Sequence, residues 1–153
     1  MTDYVRLCEE LTALINNVPY PIANLANASA LLFQRLGDIN WAGFYLAEGD
    51  QLILGPFQGK PACIQIPFGK GVCGTAWQRR ETIVVEDVEQ FPGHIACSSL
   101  SRSEIVVPLS DKAGTVRAVL DIDSTELADF DDTDRLWLER MMQAVSVHLY
   151  TND

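Results

Sequence analysis

The stretch Ile39-Asn-Trp-Ala-Gly-Phe-Tyr-Leu-Ala-Glu-Gly-Asp-Gln-Leu-Ile-Leu54 decides the fold of this 153-residue chain. Trp41, Phe44 and Tyr45 are aromatic residues of the kind that strands favour, and Gly49-Asp50 is a turn signal before a second apolar run. The pattern predicts a β-hairpin whose first strand starts at residue 39 and whose partner strand covers residues 51–54.

Amphipathic helices are predicted before and after this hairpin in the sequence. Apolar residues at helical spacing predict a helix over residues 2–17. Pro21 suits a first helical turn and predicts a second helix over residues 22–36. A third helix follows the acidic N-cap region 131–133 and runs to the C-terminus.

Short strands are predicted between the hairpin and the last helix. In chain order, we expect a strand over 62–66, a short helix over 72–78, and strands over 82–86, 104–109 and 116–123. The last two should pair antiparallel across a tight turn. Terminal helices around a largely antiparallel sheet predict an α+β fold, with the helices on one sheet face and a loop-covered ligand pocket on the other.

The composition argues against several classes of partner. The chain carries 21 acidic and 11 basic residues, a formal charge of −10, whereas nucleic acids and anionic membranes require clustered Lys or Arg. No apolar run approaches the roughly 18 residues of a membrane span, and no secretory signal opens the chain. We therefore expect a cytoplasmic protein made of one domain, residues 1–153.

Three of the four cysteines, Cys63, Cys73 and Cys97, fall close together in the sequence. Their spacing contains no C-x2-C knuckle, so a structural zinc site fits poorly, although His94 and Cys97 could supply two ligands. The other interpretation is a nucleophile with a resolving partner, in which a sulfenic acid condenses with a second thiol to a disulfide that an external dithiol reduces. Cys97 lies in a polar loop over residues 89–103, which favours an accessible thiol.

Four segments carry a resemblance to a known family. They are Cys63-Ile-Gln-Ile-Pro-Phe-Gly-Lys-Gly-Val-Cys73-Gly-Thr-Ala, Val85-Glu-Asp-Val88, Phe91-Pro-Gly-His-Ile-Ala-Cys97 and Leu120-Asp-Ile-Asp-Ser124. Together they resemble the free methionine-(R)-sulfoxide reductases, which are single GAF-domain enzymes. The resemblance implies a GAF-like fold, reduction of free methionine R-sulfoxide without an organic cofactor or metal, a thioredoxin-type reductant and a homodimer.

The resemblance also implies roles for individual residues. The position of Cys97 matches the attacking cysteine and that of Cys63 the resolving one, which implies a Cys63–Cys97 disulfide, while Cys73 matches a third thiol of less settled role. The matches to the family's substrate pocket and active-site acids are Trp41, Tyr45, Glu104, Asp121 and Asp123.

The chemistry of sulfoxide reduction requires an acid beside the thiol. Asp121 and Asp123 alternate on one face of a predicted strand, and if Glu104 on the neighbouring strand joins them, mutual repulsion should raise the pKa of at least one carboxyl. That neutral acid can protonate the departing oxygen, and the other two can hold the substrate ammonium. The alternatives are solvated acids on an edge strand, or a Mg²⁺ or Ca²⁺ site.

Two further alternatives concern the aromatic residues and the function as a whole. Trp41 and Tyr45 lie four apart on one strand and therefore face the same side, either as an apolar wall for the substrate or as ordinary core packing. In place of an enzyme, the chain could be a GAF small-molecule-binding sensor module without catalysis, or a cysteine-based peroxide sensor, which would not need the three acids.

Overall fold

A six-stranded, fully antiparallel sheet lies at the centre of the protein. The computed structural model describes residues 1–95, 97 and 99–151. Its elements, in chain order, are α1 (Tyr4–Ile15), α2 (Pro21–Arg35), β1 (Ile39–Glu48), β2 (Gln51–Gly59), β3 (Gln65–Pro67), α3 (Gly71–Arg79), β4 (Ile83–Val85), a single 3₁₀ turn (Val88–Gln90), β5 (Ser103–Ser110), β6 (Val116–Ser124) and α4 (Asp132–Leu149).

The predicted hairpin forms the middle of this sheet. The strands follow the order β3-β2-β1-β6-β5-β4, so that β1 pairs with β2 on one side and with β6 on the other. The partner strand β2 is longer than the sequence indicated, because a β-bulge between Gly43 and Tyr45 lets the ladder continue to Gly59. The predicted antiparallel pairing of the strands now labelled β5 and β6 is confirmed.

Three helices cover one face of the sheet, as predicted. Helices α1, α2 and α4 enclose a core in which Leu32, Phe44, Leu120 and Leu138 are completely buried. The N-cap expected for the last helix is Asp131, whose side chain accepts a hydrogen bond from the backbone N–H of Asp134. None of the helices among the described residues has the length and apolarity needed to cross a membrane.

The opposite face is less open than predicted, because α3 packs on it against β3, β5 and β6. The strand expected over residues 62–66 is also wrong in its start: β3 begins only at Gln65. Residues 60–64 leave the sheet and form a loop, which we call the Cys63 loop. Pro61 within it has no N–H to donate to a ladder, and the loop is held by side chains of β1 and by a hydrogen bond from the Leu54 N–H of β2 to the Ile64 carbonyl.

Gly43 allows two aromatic rings to stack beneath that loop. A Cβ atom at this position would lie 2.2 Å from the Cβ of Phe57 and 2.9 Å from the Trp41 ring. The two rings approach to 5.1 Å between centroids and are nearly parallel, at 15°. Glycine is therefore required in β1 by the packing of its neighbours.

Candidate active site

A cavity of about 330 Å³ opens on the sheet face that carries α3. This volume lies at the small end of the range for ligand pockets. Seven of the eight site residues predicted from the sequence line it: Trp41, Tyr45, Cys73, Cys97, Glu104, Asp121 and Asp123. The eighth, Cys63, lies outside the lining and is joined by a disulfide to Cys97, which lines the cavity.

A disulfide joins Cys63 to Cys97 across 34 residues of sequence, with the two Cα atoms 5.6 Å apart. The predicted pairing is confirmed. Cys97 borders the cavity, whereas Cys63 is outside its lining. Of the polar loop predicted around Cys97, Ala96 and Ser98 lie outside the described residues.

The two aromatic residues predicted to form an apolar wall do line the cavity, and they are also structural supports. Their rings stack with centroids 5.9 Å apart and are almost completely buried. Trp41 Nε1 donates a 3.0 Å hydrogen bond to the carbonyl of Lys60, and the Tyr45 hydroxyl donates a 2.9 Å hydrogen bond to the carbonyl of Cys63. The aromatic wall therefore fixes the position of the Cys63 loop.

The three acids meet on β5 and β6. Glu104 and Asp123 are direct partners in the strand register, and Asp121 lies two residues away on the same face. Because β6 is between β1 and β5, the alternative of solvated acids on an edge strand is wrong. Glu104 is 6% exposed and Asp121 is 7% exposed.

Burial raises the pKa of all three acids, and repulsion by neighbouring carboxylates adds to the rise at Glu104 and Asp123. Desolvation and the neighbouring Asp121 hold the pKa values of Glu104 and Asp123 well above their ordinary range. Burial also raises the pKa of Asp121, while hydrogen bonds from Glu104 and Cys73 and the nearby His94 oppose the rise. Asp121 is therefore the member of the group whose ionised form receives the most support from its neighbours.

The third thiol, Cys73, is buried beside the acids and has no disulfide partner. Burial, followed by the charges of Asp121 and Glu104, raises its pKa well above the ordinary value. It therefore remains a thiol and can donate its proton to Asp121. The structure places Cys73 as a hydrogen-bonding group of the acid cluster, distinct from the disulfide pair.

His94 lies against Glu104, with Nε2 at 3.8 Å from Oε1. Burial lowers its pKa, with Asp121 acting in the opposite direction. As possible metal ligands, the structure brings together Cys73, Glu104 and Asp121, whose donor atoms lie within 4.8 Å of one another. A thiol in this set disfavours Mg²⁺ and Ca²⁺, because both ions prefer shells made entirely of oxygen.

Two buried oxygen atoms on the cavity wall have no hydrogen-bond partner among the described residues: Asp121 Oδ1 and Asn40 Oδ1. A buried acceptor without a donor costs free energy, so both atoms favour a ligand that donates hydrogen bonds. Sequence analysis missed Asn40. Strand alternation would put it on the face opposite Trp41, but an irregularity in the β1–β6 register between Ile39 and Trp41 brings both to the cavity.

The raised pKa of Asp123 predicts a pH-dependent stability. A carboxyl that stays neutral in the fold but ionises near pH 4 when unfolded stabilises the fold below that pH, and this contribution is lost as pH rises toward the raised value. Asp123→Asn removes this pH-dependent loss. The free energy of unfolding of the variant minus that of the wild type should therefore be larger at pH 8 than at pH 4, by on the order of 1–3 kcal/mol. Urea unfolding at both pH values measures this difference.

The exposed carboxyl of Glu9 provides the matched control for that experiment. Glu9→Gln should change the free energy of unfolding by the same small amount at pH 4 and pH 8. An Asp123→Asn protein whose stability followed pH in parallel with the wild type would contradict the assignment of a proton to Asp123.

Comparison with known proteins gives a matching domain family and a relative that is similar over nearly the whole chain. The GAF domain family matches residues 23–149. The free methionine-R-sulfoxide reductase of Escherichia coli (strain K12) is 51% identical over 150 residues, which covers 98% of this chain and 90% of that protein.

Solved structures agree in fold along nearly the whole chain. The structure of fRMsr of Staphylococcus aureus in its reduced form has a TM-score of 0.94 and 50% identity, and covers 97% of this chain and 96% of that one. Free methionine-R-sulfoxide reductase from Neisseria meningitidis, in complex with its substrate, has a TM-score of 0.92 and 47% identity, and covers 95% and 87%.

Proposed function

The chain belongs to the GAF-domain family and, within it, to the free methionine-R-sulfoxide reductases, and on that premise we propose which of its residues carries out each step of the reaction. The protein is a thiol-dependent oxidoreductase that reduces free methionine-R-sulfoxide to methionine. One observation carries the proposal: Cys97, joined to Cys63 by a disulfide, lines the same cavity as three acids, and one of these, Asp121, has a buried carboxylate oxygen without a hydrogen-bond partner among the described residues.

In the first step, the Cys97 thiolate attacks the sulfoxide sulfur. The oxygen becomes basic as the S–O bond weakens, and Glu104 or Asp123 supplies its proton, since both are kept neutral by burial and by Asp121. The substrate S–O bond and the new bond between Cys97 Sγ and the substrate sulfur then break as the protonated oxygen passes to Cys97 Sγ. Methionine leaves, and Cys97 carries the oxygen as a sulfenic acid. Cys63 then attacks the Cys97 sulfur, the S–O bond breaks, and water departs as the disulfide forms.

The ammonium of the free amino acid is held by the two unpartnered acceptors. Asp121 is the ionised acid, so its Oδ1 supplies a charge-assisted hydrogen bond, and Asn40 Oδ1 accepts a second one. The buried thiol of Cys73 donates to Asp121 and keeps that carboxylate oriented. Trp41 and Tyr45 then offer an apolar surface to the methyl and methylene groups.

The return half of the cycle requires two electrons from outside the protein. A thioredoxin-type dithiol is the reductant we propose, because thiol–disulfide exchange can open the Cys63–Cys97 bond. Such a cycle fits a cytoplasmic protein.

The single domain over residues 1–153 is supported by the packing of α1 on α2 and α4, and the homodimer stays a prediction that sedimentation can test.

The direct test of the function is product formation. Reduced protein with excess dithiothreitol should convert free L-methionine-(R)-sulfoxide to methionine, measured by chromatography, and should leave the S epimer unchanged. If the protein bound the R epimer without releasing methionine, it would be a GAF sensor module.

Replacing Cys63 with serine separates the two halves of the cycle. Cys63→Ser should release about one methionine per active site and then stall with thioredoxin as reductant, since no intramolecular disulfide can form. Excess dithiothreitol should partly restore turnover. Rapid-quench analysis measures the single turnover: its absence would give Cys63 an earlier role, and full thioredoxin-driven cycling would transfer the resolving role to Cys73.

A further inference from the structure

The segment that contains Cys63 differs in charge from the rest of the chain. Residues 51–80 contain four basic residues and no acidic one, whereas the remainder of the chain holds all 21 acidic residues and seven basic ones. This segment covers β2, the Cys63 loop, β3 and α3. Cys63 therefore lies in a basic segment of an otherwise acidic chain.

Two of the basic residues, Lys60 and Lys70, lie close in the fold to segments that carry the disulfide. Lys60 is exposed and borders the same cavity as Cys97. Lys70 is exposed next to Gly71, and a Cβ atom at Gly71 would lie 3.0 Å from the side chain of Ile95, two residues before Cys97. Within the described part of the chain, neither lysine takes part in an ion pair.

Exposed apolar side chains lie beside the same two cysteines. Ile64, next to Cys63, is 70% exposed, and Leu100, three residues after Cys97, is 48% exposed. Exposed aliphatic groups of this size next to a reactive bond are typical of a transient contact surface. We call Lys60, Ile64, Lys70 and Leu100 the disulfide rim.

Cys63 and Cys97 are both half-buried, but they differ in their position relative to the substrate cavity. Cys97 borders the substrate cavity, and Cys63 lies on the exposed loop outside its lining. Thiol–disulfide exchange needs a thiolate to approach along the S–S axis behind the sulfur that it attacks. A protein partner that approaches from solvent meets Cys63, and the thiolate that leaves is Cys97, already facing the substrate.

From these observations, and resting on the proposed function, we propose that the disulfide rim is the docking surface for a dithiol reductase with an acidic contact surface, and that this partner attacks Cys63. Its thiolate bonds to Cys63 Sγ, the Cys63–Cys97 bond breaks, and the electron pair goes to Cys97 Sγ. The partner's second thiolate then attacks the partner sulfur of the mixed disulfide and releases Cys63. The partner ends oxidised, and the enzyme gains two electrons and returns to its dithiol form.

The sulfur assignment is tested by trapping. Oxidised wild-type protein is mixed with a thioredoxin whose second active-site cysteine is replaced by serine, and the mixed disulfide is mapped by peptide mass spectrometry. The expected product links the thioredoxin to Cys63 and leaves Cys97 free. A link to Cys97 would overturn the assignment, as would failure to trap any product when dithiothreitol reduces the same disulfide.

The docking surface is tested by charge reversal. The double variant Lys60→Glu/Lys70→Glu should lower the second-order rate constant for disulfide reduction by thioredoxin about tenfold or more at low ionic strength, with a smaller loss at high salt. Reduction by dithiothreitol, which is uncharged and small, should change less than about twofold. Both rates are measured on the pre-formed disulfide without methionine sulfoxide, so an effect on substrate binding cannot enter.

A matched control carries the same change in net charge elsewhere. Lys112→Glu/Arg135→Glu alters the β5–β6 turn and helix α4, away from the disulfide rim. This variant should be reduced by thioredoxin at close to the wild-type rate. Equal losses in the two double variants would show a net-charge effect and overturn the docking surface, while dithiothreitol-driven methionine formation would still support the proposed function.

Discussion

Cys97→Ser is expected to abolish turnover, with a loss of more than about 10³-fold in kcat. An alcohol has a far higher pKa than a thiol, so a serine at this position provides no comparable nucleophile and cannot form a sulfenic acid. Cys97 is also the member of the disulfide pair that borders the cavity. Methionine release with excess dithiothreitol measures the effect.

The fold should survive this substitution, and Cys8 provides the control. Cys8 lies on α1, on the other face of the sheet, where it packs against the helical core. Cys8→Ser makes the same chemical change and should keep near wild-type turnover. Circular dichroism of the reduced proteins should match. A Cys97→Ser protein that reduced the free sulfoxide at a substantial fraction of the wild-type rate would refute the choice of nucleophile.

N-acetylmethionine-(R)-sulfoxide should be a very poor substrate. Acetylation converts the ammonium to a neutral amide and leaves Asp121 as a buried carboxylate without a cation, at a cost of about 3–5 kcal/mol. That free energy corresponds to a loss on the order of 10²–10⁴-fold in kcat/KM. The same argument predicts that methionine sulfoxide within peptides is reduced poorly. Steady-state kinetics with the free and the acetylated compound measures the ratio.

Substitutions in the acid cluster show whether Asp121 causes this discrimination. In Asp121→Asn, the ratio of kcat/KM between free and acetylated substrate should fall toward one, because the charge that recognises the ammonium is absent. Glu104→Gln and Asp123→Asn should each depress activity while leaving the thiols intact, most strongly for the acid that donates the proton. Comparable kcat/KM values for the two substrates in the wild type would refute ammonium recognition.

Local sequence patterns determined most of the fold. The hairpin from Ile39, the N-cap at Asp131 and the helix after Pro21 each follow from interactions between residues close in the chain, and all three form where predicted. The α+β arrangement follows as well, because amphipathic helices must bury their apolar faces against the sheet. The three clustered cysteines and the acids at alternate positions indicated thiol chemistry, and their resemblance to a known family implied the reaction.

Only the tertiary structure decided how the site works, because the deciding interactions join residues far apart in sequence. The Cys63 loop leaves the sheet since Trp41 and Tyr45, about twenty residues earlier, bind its carbonyls. Asn40 reaches the cavity through an irregular register with β6. The raised pKa values of Glu104, Asp121 and Asp123 depend on their burial in the folded protein, and no local pattern encodes the degree to which a carboxyl is desolvated.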